Sequence, residues 1–287
     1  MTTLHDTLLD WYDDHRRDLP WRRPEASAWG VLVSELMLQQ TPVARVLPVW
    51  EAWLERWPTP ARLAAESSGE AVRAWGRLGY PRRALRLHAA AVAITERHGG
   101  EVPDDHAALL ALPGVGDYTA AAVASFAFGQ RHVVLDTNVR RVLERALGGR
   151  AFPGTSPTRP ERDRAAALLP DDPATAATWA VAVMELGALV CTARRPRCEQ
   201  CPLSGTCRWR SAGFPDAEAP RRVQTYDGTD RQCRGRLLAV LRDSPGSVAA
   251  DRLDTAWAEP VQRRRALDSL LADGLVVRTE RGRYALP

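Results

Sequence analysis

Apolar residues recur at helical spacing through most of the chain. The rhythm covers 4–15, 28–40, 43–56, 61–66, 69–77, 81–97, 104–112, 117–128, 138–147, 161–169 and 174–190. Residues repeating at i, i+3 and i+4 bury one face of a helix, so each stretch predicts one. Turns marked by Pro or Gly separate them, among them Trp57-Pro58-Thr59-Pro60, His98-Gly99-Gly100 and Gly148-Gly149. Strand-like alternation is missing until the carboxyl-terminal end. The pattern predicts a mainly α protein.

The segment Ala212 to Asp230 is rich in Pro, Gly and charge and reads as a linker. Beyond it, Arg231–Arg242, Ala249–Ala258 and Val261–Asp273 predict three helices. Leu275–Thr279 and Arg283–Leu286 predict two strands around Glu280-Arg281-Gly282. Three helices and a hairpin at 231–287 make a small winged-helix-like α/β module. Such modules either place a helix in the major groove or serve protein contacts, so a protein partner through this module is a second expectation.

A chain of 287 residues accommodates two or three domains. Hydrophobic content of 45% and a mean hydropathy of −0.30 describe an ordinary globular protein. No signal peptide and no membrane-spanning run is expected, which predicts a cytoplasmic monomer, nucleoid-associated, with no membrane partner. Charge sharpens this. The net charge is only +4, yet all 39 basic residues are arginine. Arg194, Arg195, Arg197, Arg208 and Arg210 stand against the single acid Glu199, and Arg73, Arg77, Arg82, Arg83 and Arg86 form an acid-free stretch. Arginine presents a rigid fork of donors to phosphate, and clusters of this kind suit a polyanion such as nucleic acid.

Cys191, Cys198, Cys201 and Cys207 fall at the spacing C-x6-C-x2-C-x5-C, while Cys233 stands alone and reads as a small buried apolar residue. Thiols this close, in a chain read as intracellular, point to a shared metal. Four soft ligands complete either zinc or an iron–sulfur cluster. Zinc sites usually show two C-x2-C knuckles, and only Cys198 and Cys201 form one here, so the spacing leans toward one [4Fe–4S] cluster. Structural zinc and free buried cysteines stay as the alternatives.

Leu112-Pro113-Gly114-Val115-Gly116-Asp117-Tyr118-Thr119 joins two helices by a glycine-spaced turn. Without side chains, Gly114 and Gly116 let backbone N–H groups around Val115 approach a phosphate, and the next helix N-terminus adds partial positive charge. This is a helix-hairpin-helix pattern, which grips a DNA backbone without reading sequence. Together with the cysteine motif it resembles the helix-hairpin-helix DNA glycosylases that carry an iron–sulfur cluster.

Within that superfamily, Ser34-Glu35-Leu36-Met37-Leu38-Gln39-Gln40-Thr41-Pro42 is close to the motif of MutY-type adenine DNA glycosylases. Leu78-Gly79-Tyr80, Leu112 to Thr119, Leu135-Asp136-Thr137-Asn138-Val139 and Met184-Glu185-Leu186-Gly187-Ala188 match it in the same order. The resemblance covers roughly residues 4–210, by ordered motifs rather than one short pattern, and the short actinobacterial form is the type it is most similar to. It implies a two-domain glycosylase fold: an iron–sulfur domain from 1–22 and 135–211, a six-helix barrel with the hairpin over 23–134, the linker 212–230 and the module 231–287.

The resemblance also implies roles. Glu35, whose apolar helical neighbours would raise its pKa, protonates adenine and handles the attacking water, although by its local residues alone it reads first as a rim glutamate paired to an arginine. Asp136 stabilises the oxocarbenium-like sugar; its position before Val139–Leu147 also suits a helix N-cap. Tyr118 and Asn138 orient these groups. Arg17, Trp21, Leu38 and Glu185 line the pocket for a flipped adenine, and Gln40 and Tyr80 wedge into the duplex. The implied partner is double-stranded DNA with adenine opposite 8-oxoguanine or guanine.

The chain departs from the family in three ways. Tyr118 stands where relatives resembling endonuclease III carry a Schiff-base lysine, and the chain contains no lysine, which implies base release with at most weak strand cleavage through the amino terminus. Residues 231–287 are too few for the Nudix-like lesion-reading domain of many members. Tyr80 is followed by Pro81 rather than a second tyrosine, which implies relaxed opposite-base preference, including guanine or cytosine. An endonuclease III-like pyrimidine glycosylase and a non-catalytic DNA-binding regulator are the alternative readings.

Overall fold

Helices form where the apolar rhythm places them. The computed structural model describes residues 4–215 and 226–287. Its first six α-helices are α1 (Leu4–His15), α2 (Ala28–Leu38), α3 (Val43–Arg56), α4 (Pro60–Ala64), α5 (Ser68–Trp75) and α6 (Arg82–Arg97). Then come α7 (His106–Leu110), α8 (Asp117–Phe128), α9 (Thr137–Leu143), α10 (Arg159–Ala167), α11 (Pro173–Leu189) and α12 (Arg208–Ser211). The carboxyl-terminal part holds α13 (Asp230–Arg242), α14 (Ala250–Asp254), α15 (Pro260–Ala272), β1 (Val277–Arg278) and β2 (Tyr284–Ala285). Part of the expected linker, residues 216–225, lies outside the described residues. No described helix is long and apolar enough to cross a membrane.

The starts of several helices follow from local chemistry. Asp105 accepts a hydrogen bond from Ala108 N at 2.8 Å and caps α7. Asp172 accepts from Thr175 N at 2.8 Å, with Pro173 preset in the first turn of α11. Thr158 and Glu161 satisfy each other's backbone donors at the head of α10.

Packing divides the described chain into two units. The first is drawn from Met1–Leu32, Asp104–Ala111 and Val115–Arg221. Its core forms around α11, where Trp179, Val183 and Leu186 meet Leu8, Trp11 and Tyr12 of α1 and Val139 and Val142 of α9. The helix α11 can serve as a central rod because nearly all its turns are apolar or small.

The second unit is drawn from Val33–Pro103, Leu112–Gly114 and Arg222–Pro287, so the carboxyl-terminal module packs with α3–α6. Trp53, Trp57 and Trp75 fill its interior edge to face, with ring centroids 4.7 and 5.9 Å apart along the row. The module is tied down by backbone groups. Arg73 of α5 donates to the carbonyls of Leu241, Arg242 and Ser244, which end α13, and Arg242 Nε donates back to Val72 O at 3.0 Å. Gly69 N donates to Pro287 O at 2.6 Å.

Several elements differ from the periodic reading. The stretch 138–147 is α9 followed by a π-helical turn, Glu144–Gly148. The helix expected over Ala249–Ala258 shortens to α14, capped at Thr255, while Pro260 holds Glu259 extended ahead of α15 (φ −82°, ψ 113°). The strands shrink to two residues each, paired antiparallel with Val277 opposite Ala285, and Val248 bridges Tyr284 as a third partner. The short α12 and the 3-10 turn Pro20–Arg22 are too brief for any periodicity to announce.

Gly69 makes the module's attachment testable. A Cβ there would lie 2.3 Å from Pro287 O and 3.0 Å from Leu286 Cβ. Gly69→Ala is expected to lower stability by about 1–3 kcal/mol in urea unfolding, as overpacking does. An unchanged midpoint contradicts this attachment.

Candidate active site and thiol pocket

The four clustered cysteines come together. Cys191, Cys198, Cys201 and Cys207 line one pocket, partly open to solvent, with Arg145, Trp209 and Arg210 in its wall. Cys191 leaves the end of α11, Cys198 and Cys201 flank a 3-10 turn, and Cys207 precedes α12. As free thiols, two of them are shifted: burial, then the neighbouring sulfurs, push Cys201 up to about 11 against the Leu203 backbone donor, and burial raises Cys198 as well.

The surroundings favour an anion. Arg145, only 2% exposed, donates to the carbonyls of Ala151 (2.9 Å), Thr192 (2.8 Å) and Ala193 (3.1 Å), none of them charged. Its Nη1 lies 3.4 Å from Cys191 Sγ, and the Trp209 ring stacks on its guanidinium at 4.5 Å. A buried cation facing four sulfurs fits a thiolate-ligated iron–sulfur cluster, which is anionic.

The π-helical turn is what aims Arg145 at the sulfurs. It packs beside α12, and Gly148 permits it, since a Cβ there would meet Glu144 Oε1 at 2.2 Å. Helix-interior insertions of this kind often mark functional positions.

A second buried arginine links the pocket to Asp136. Arg141 Nε donates to Cys191 O at 2.7 Å, and its Nη2 donates to Gly187 O and Asn138 Oδ1, both at 2.7 Å. Asn138 Nδ2 in turn donates to Asp136 Oδ2 at 2.8 Å, while Asp136 Oδ1 accepts from Val139 N at 2.6 Å and caps α9. Asp136 is thus an N-cap whose second oxygen is also fixed. Burial pushes its pKa up, against the Val139 and Asn138 donors and the Arg141 charge. Gly187 lets α9 lie directly on α11, because a Cβ there would sit 2.7 Å from Asn138 Cβ. Tyr118 packs with Met184 against Ala121, Ala122, Val134 and Ala180 in the same unit.

Arg17 and Glu185 are brought together as well. Glu185 is fully buried, and it accepts from Arg17 N (3.0 Å), Nε (2.8 Å) and Nη2 (2.7 Å) and from Arg22 Nη1 (2.8 Å). Arg22, which no motif singled out, follows the buried Trp21 on the 3-10 turn. Burial alone would raise the Glu185 pKa; the two guanidiniums outweigh it and hold the carboxyl down at about 2.

In the second unit, Glu35 lies 6% exposed on α2, flanked in sequence by the fully buried Ser34 and Leu36. Leu38, the last residue of α2, is partly buried. After it, Gln40 adopts a left-handed conformation (φ 55°), as does Tyr80 (φ 46°) after Gly79. Each non-glycine residue held there costs roughly 1–2 kcal/mol, so something must hold both turns. Arg83, buried on α6, does so. Its Nη1 reaches the carbonyls of Leu36, Met37 and Gln39 at 2.9, 2.9 and 2.6 Å. Its Nη2 donates to Thr41 Oγ1 (3.0 Å) and Gly79 O (3.1 Å). Gln40 and Tyr80 themselves are exposed.

The basic clusters divide in use. Arg194, Arg195, Arg197 and Arg208 are exposed, as are Arg77, Arg82 and Arg86. Arg73 and Arg83 are engaged inside the second unit, which corrects the expectation of one arginine stretch turned toward a polyanion: free backbone carbonyls at helix ends claim them instead. Of the hairpin residues, Gly114 is required by its backbone (φ 80°) and by Arg86, whose Cβ would lie 2.6 Å from an added Cβ. Val115 is buried, and Gly116 faces open space before α8. Arg141 and Arg145 were not foreseen: they stand among other charged residues, Arg140 and Glu144, and carry no local mark of burial.

Residues 33–166 match the HhH-GPD superfamily of base excision DNA repair proteins, and residues 191–207 match the iron–sulfur binding domain of endonuclease III. An adenine DNA glycosylase of Mycolicibacterium smegmatis is 61% identical, over 97% of this chain and 94% of its own length. One from Mycobacterium tuberculosis is 56% identical, over 99% and 94%. A solved endonuclease III–DNA complex superposes with a TM-score of 0.63 at 25% identity, covering 73% of this chain and 94% of that one.

The Glu185 cluster sets a pH dependence. Its folded pKa of about 2 lies below the ordinary 4.5, so the stabilisation is complete above pH 4.5 and fades as pH falls toward 2. Comparing wild type with Glu185→Gln by urea unfolding should show a deficit of about 3–5 kcal/mol at pH 7, as for a broken buried pair. That deficit should shrink at pH 3. A pH-independent difference contradicts the assignment.

Proposed function

This chain belongs to the adenine DNA glycosylase family, enzymes of base excision repair that hydrolyse N-glycosyl bonds, and we propose that Glu35 and Asp136 carry the reaction. The observation that supports this reading best is the way Asp136 is held. Both its oxygens are engaged, by Val139 N and Asn138, and burial raises its pKa. A carboxylate fixed and poorly solvated in this way gains more from a positive charge forming on the deoxyribose than a solvated one, because no solvent shell must reorganise.

Glu35 delivers a proton to adenine N7 as the bond to C1′ lengthens, which makes the base a neutral leaving group. Asp136 stabilises the cation that remains, and water then adds to C1′ with Glu35 accepting its proton. Tyr118 and Asn138 orient the sugar and the carboxylate. Arg17 and Glu185, locked together with Arg22, form a rigid wall of the base pocket with Trp21 and Leu38, while Gln40 and Tyr80 enter the duplex and offset the cost of unstacking, a few kcal/mol. Gly114, Val115 and Gly116 grip the phosphate backbone.

The chain carries a [4Fe–4S] cluster, held by Cys191, Cys198, Cys201 and Cys207. Four protein thiolates leave it no open coordination position, so its role is to fix the cysteine loop and dock the exposed arginines on DNA. The substrate is adenine opposite 8-oxoguanine, with guanine and cytosine as tolerated partners, in cytoplasmic DNA. No lysine amine is available for a Schiff base, so the product is an abasic site with the strand intact.

Duplexes with adenine opposite 8-oxoguanine, or with thymine glycol, test this in the presence and absence of alkali. Adenine should be released, and the strand should break only after alkaline treatment. Glu35→Gln and Asp136→Asn should each lose at least about 10²-fold in single-turnover rate, the usual share of a general acid or charge stabiliser. Failure of the iron-loaded protein to release adenine, or a preference for thymine glycol, would overturn the reading.

Iron and absorbance check the cluster separately. Purified protein should absorb near 400 nm with about four irons per chain, and Cys198→Ser should lower both. One zinc and no iron contradicts the ligand assignment.

A further inference from the structure

Arg83 is a buried charge without a task in the chemistry above. It is 5% exposed, its hydrogen-bond partners are four backbone carbonyls and one hydroxyl, and its Nε has no partner at all. Desolvation lowers its pKa to about 10, a measure of how little compensates the charge. A helix end that needs only closing is served by glycine, water or a side-chain amide. None of these bridges two separate turns.

The guanidinium does bridge them. Leu36, Met37, Gln39 and Thr41 belong to the turn that carries Gln40, and Gly79 to the turn that carries Tyr80. Both turns are left-handed at their exposed residue. Thr41 Oγ1, which accepts from Arg83, donates across to Leu78 O at 3.1 Å, and Trp75 Nε1 donates to the same Gly79 carbonyl at 2.9 Å. The Tyr80 ring also lies over the Arg83 guanidinium, 5.5 Å from its carbon. One planar cation therefore fixes the spacing and the strained backbone of two exposed side chains that lie 40 residues apart in sequence.

We infer that Arg83 is a positioning residue for duplex opening, setting Gln40 and Tyr80 at a fixed offset so that both enter the base stack beside the target adenine. The inference rests on the reading of Gln40 and Tyr80 as wedges. Its physical content is that two side chains on separately mobile turns would unstack a base far less efficiently than two held as one piece. Phosphate contacts, made elsewhere, are left intact by its loss.

The test uses the full iron-loaded chain and a duplex with 2-aminopurine, which brightens when unstacked, in place of the target adenine. Binding is followed by anisotropy and opening by 2-aminopurine fluorescence. Arg83→Met should bind within about threefold of wild type, because phosphate contacts dominate affinity, yet lose most of the fluorescence gain. Gln40→Ala and Tyr80→Ala should lose it too. If those two variants lose the gain and Arg83→Met keeps it, the positioning role is overturned while the wedge reading stands. If neither Gln40→Ala nor Tyr80→Ala affects the gain, the wedge reading fails and the positioning role with it. Should circular dichroism show Arg83→Met unfolded, Arg83→Lys is read in its place by the same outcomes. A lysine keeps the charge but cannot span both turns.

Discussion

Everything in the first unit turns on one relay of hydrogen bonds, from Asp136 through Asn138 and Arg141 to the backbone of Cys191. It joins the carboxylate proposed to face the sugar to the loop proposed to hold the cluster. Each member is fixed at 2.7–2.8 Å, and the close crossing of α9 on α11 at Gly187 leaves no slack between them. A carboxylate that must be both ionised and poorly solvated is unstable by itself. Here the instability is borne by a scaffold whose far end is anchored to the backbone of Cys191 in the thiol pocket.

The same device occurs three times. Arg83, Arg141 and Arg145 are buried guanidiniums satisfied mainly by backbone carbonyls, not by carboxylates. A carbonyl partner leaves the cation's charge uncompensated, which is unfavourable inside a protein. In exchange, five donors in one plane tie together turns that hydrophobic packing cannot position to within a fraction of an ångström. Glu185 shows the complementary arrangement: one buried carboxylate collects two arginines and becomes a rigid wall. Arginine is thus the structural polar residue of this chain as well as its whole supply of Lys/Arg charge.

How much of this is legible in the residues varies with the physics involved. Long helices are announced by periodicity, so α1, α3 and α8 begin and end at the expected residues. The cysteine pocket is announced by spacing, because burial of small apolar side chains does not by itself gather four thiols between residues 191 and 207. The π-helical turn is not announced, because the apolar spacing of 138–147 reads as one continuous helix. Arg141 and Arg145 share that problem, since an arginine on a helix face reads the same whether water or a sulfur pocket lies beyond it. Arg22 is hidden because the 3-10 turn that aims it is three residues long. The acid-free arginine stretch at 73–86 misleads for the same reason, as Arg73 and Arg83 turn inward to helix ends.

The most direct test of the central relay is the single-turnover rate of adenine release by Arg141→Met protein purified with its full iron complement. The relay predicts a fall of about 10²-fold or more at saturating enzyme, because a carboxylate misplaced by about 1 Å forfeits that much. A wild-type rate in fully iron-loaded Arg141→Met would contradict it, and would reduce the link between cluster loop and carboxylate to a matter of folding alone.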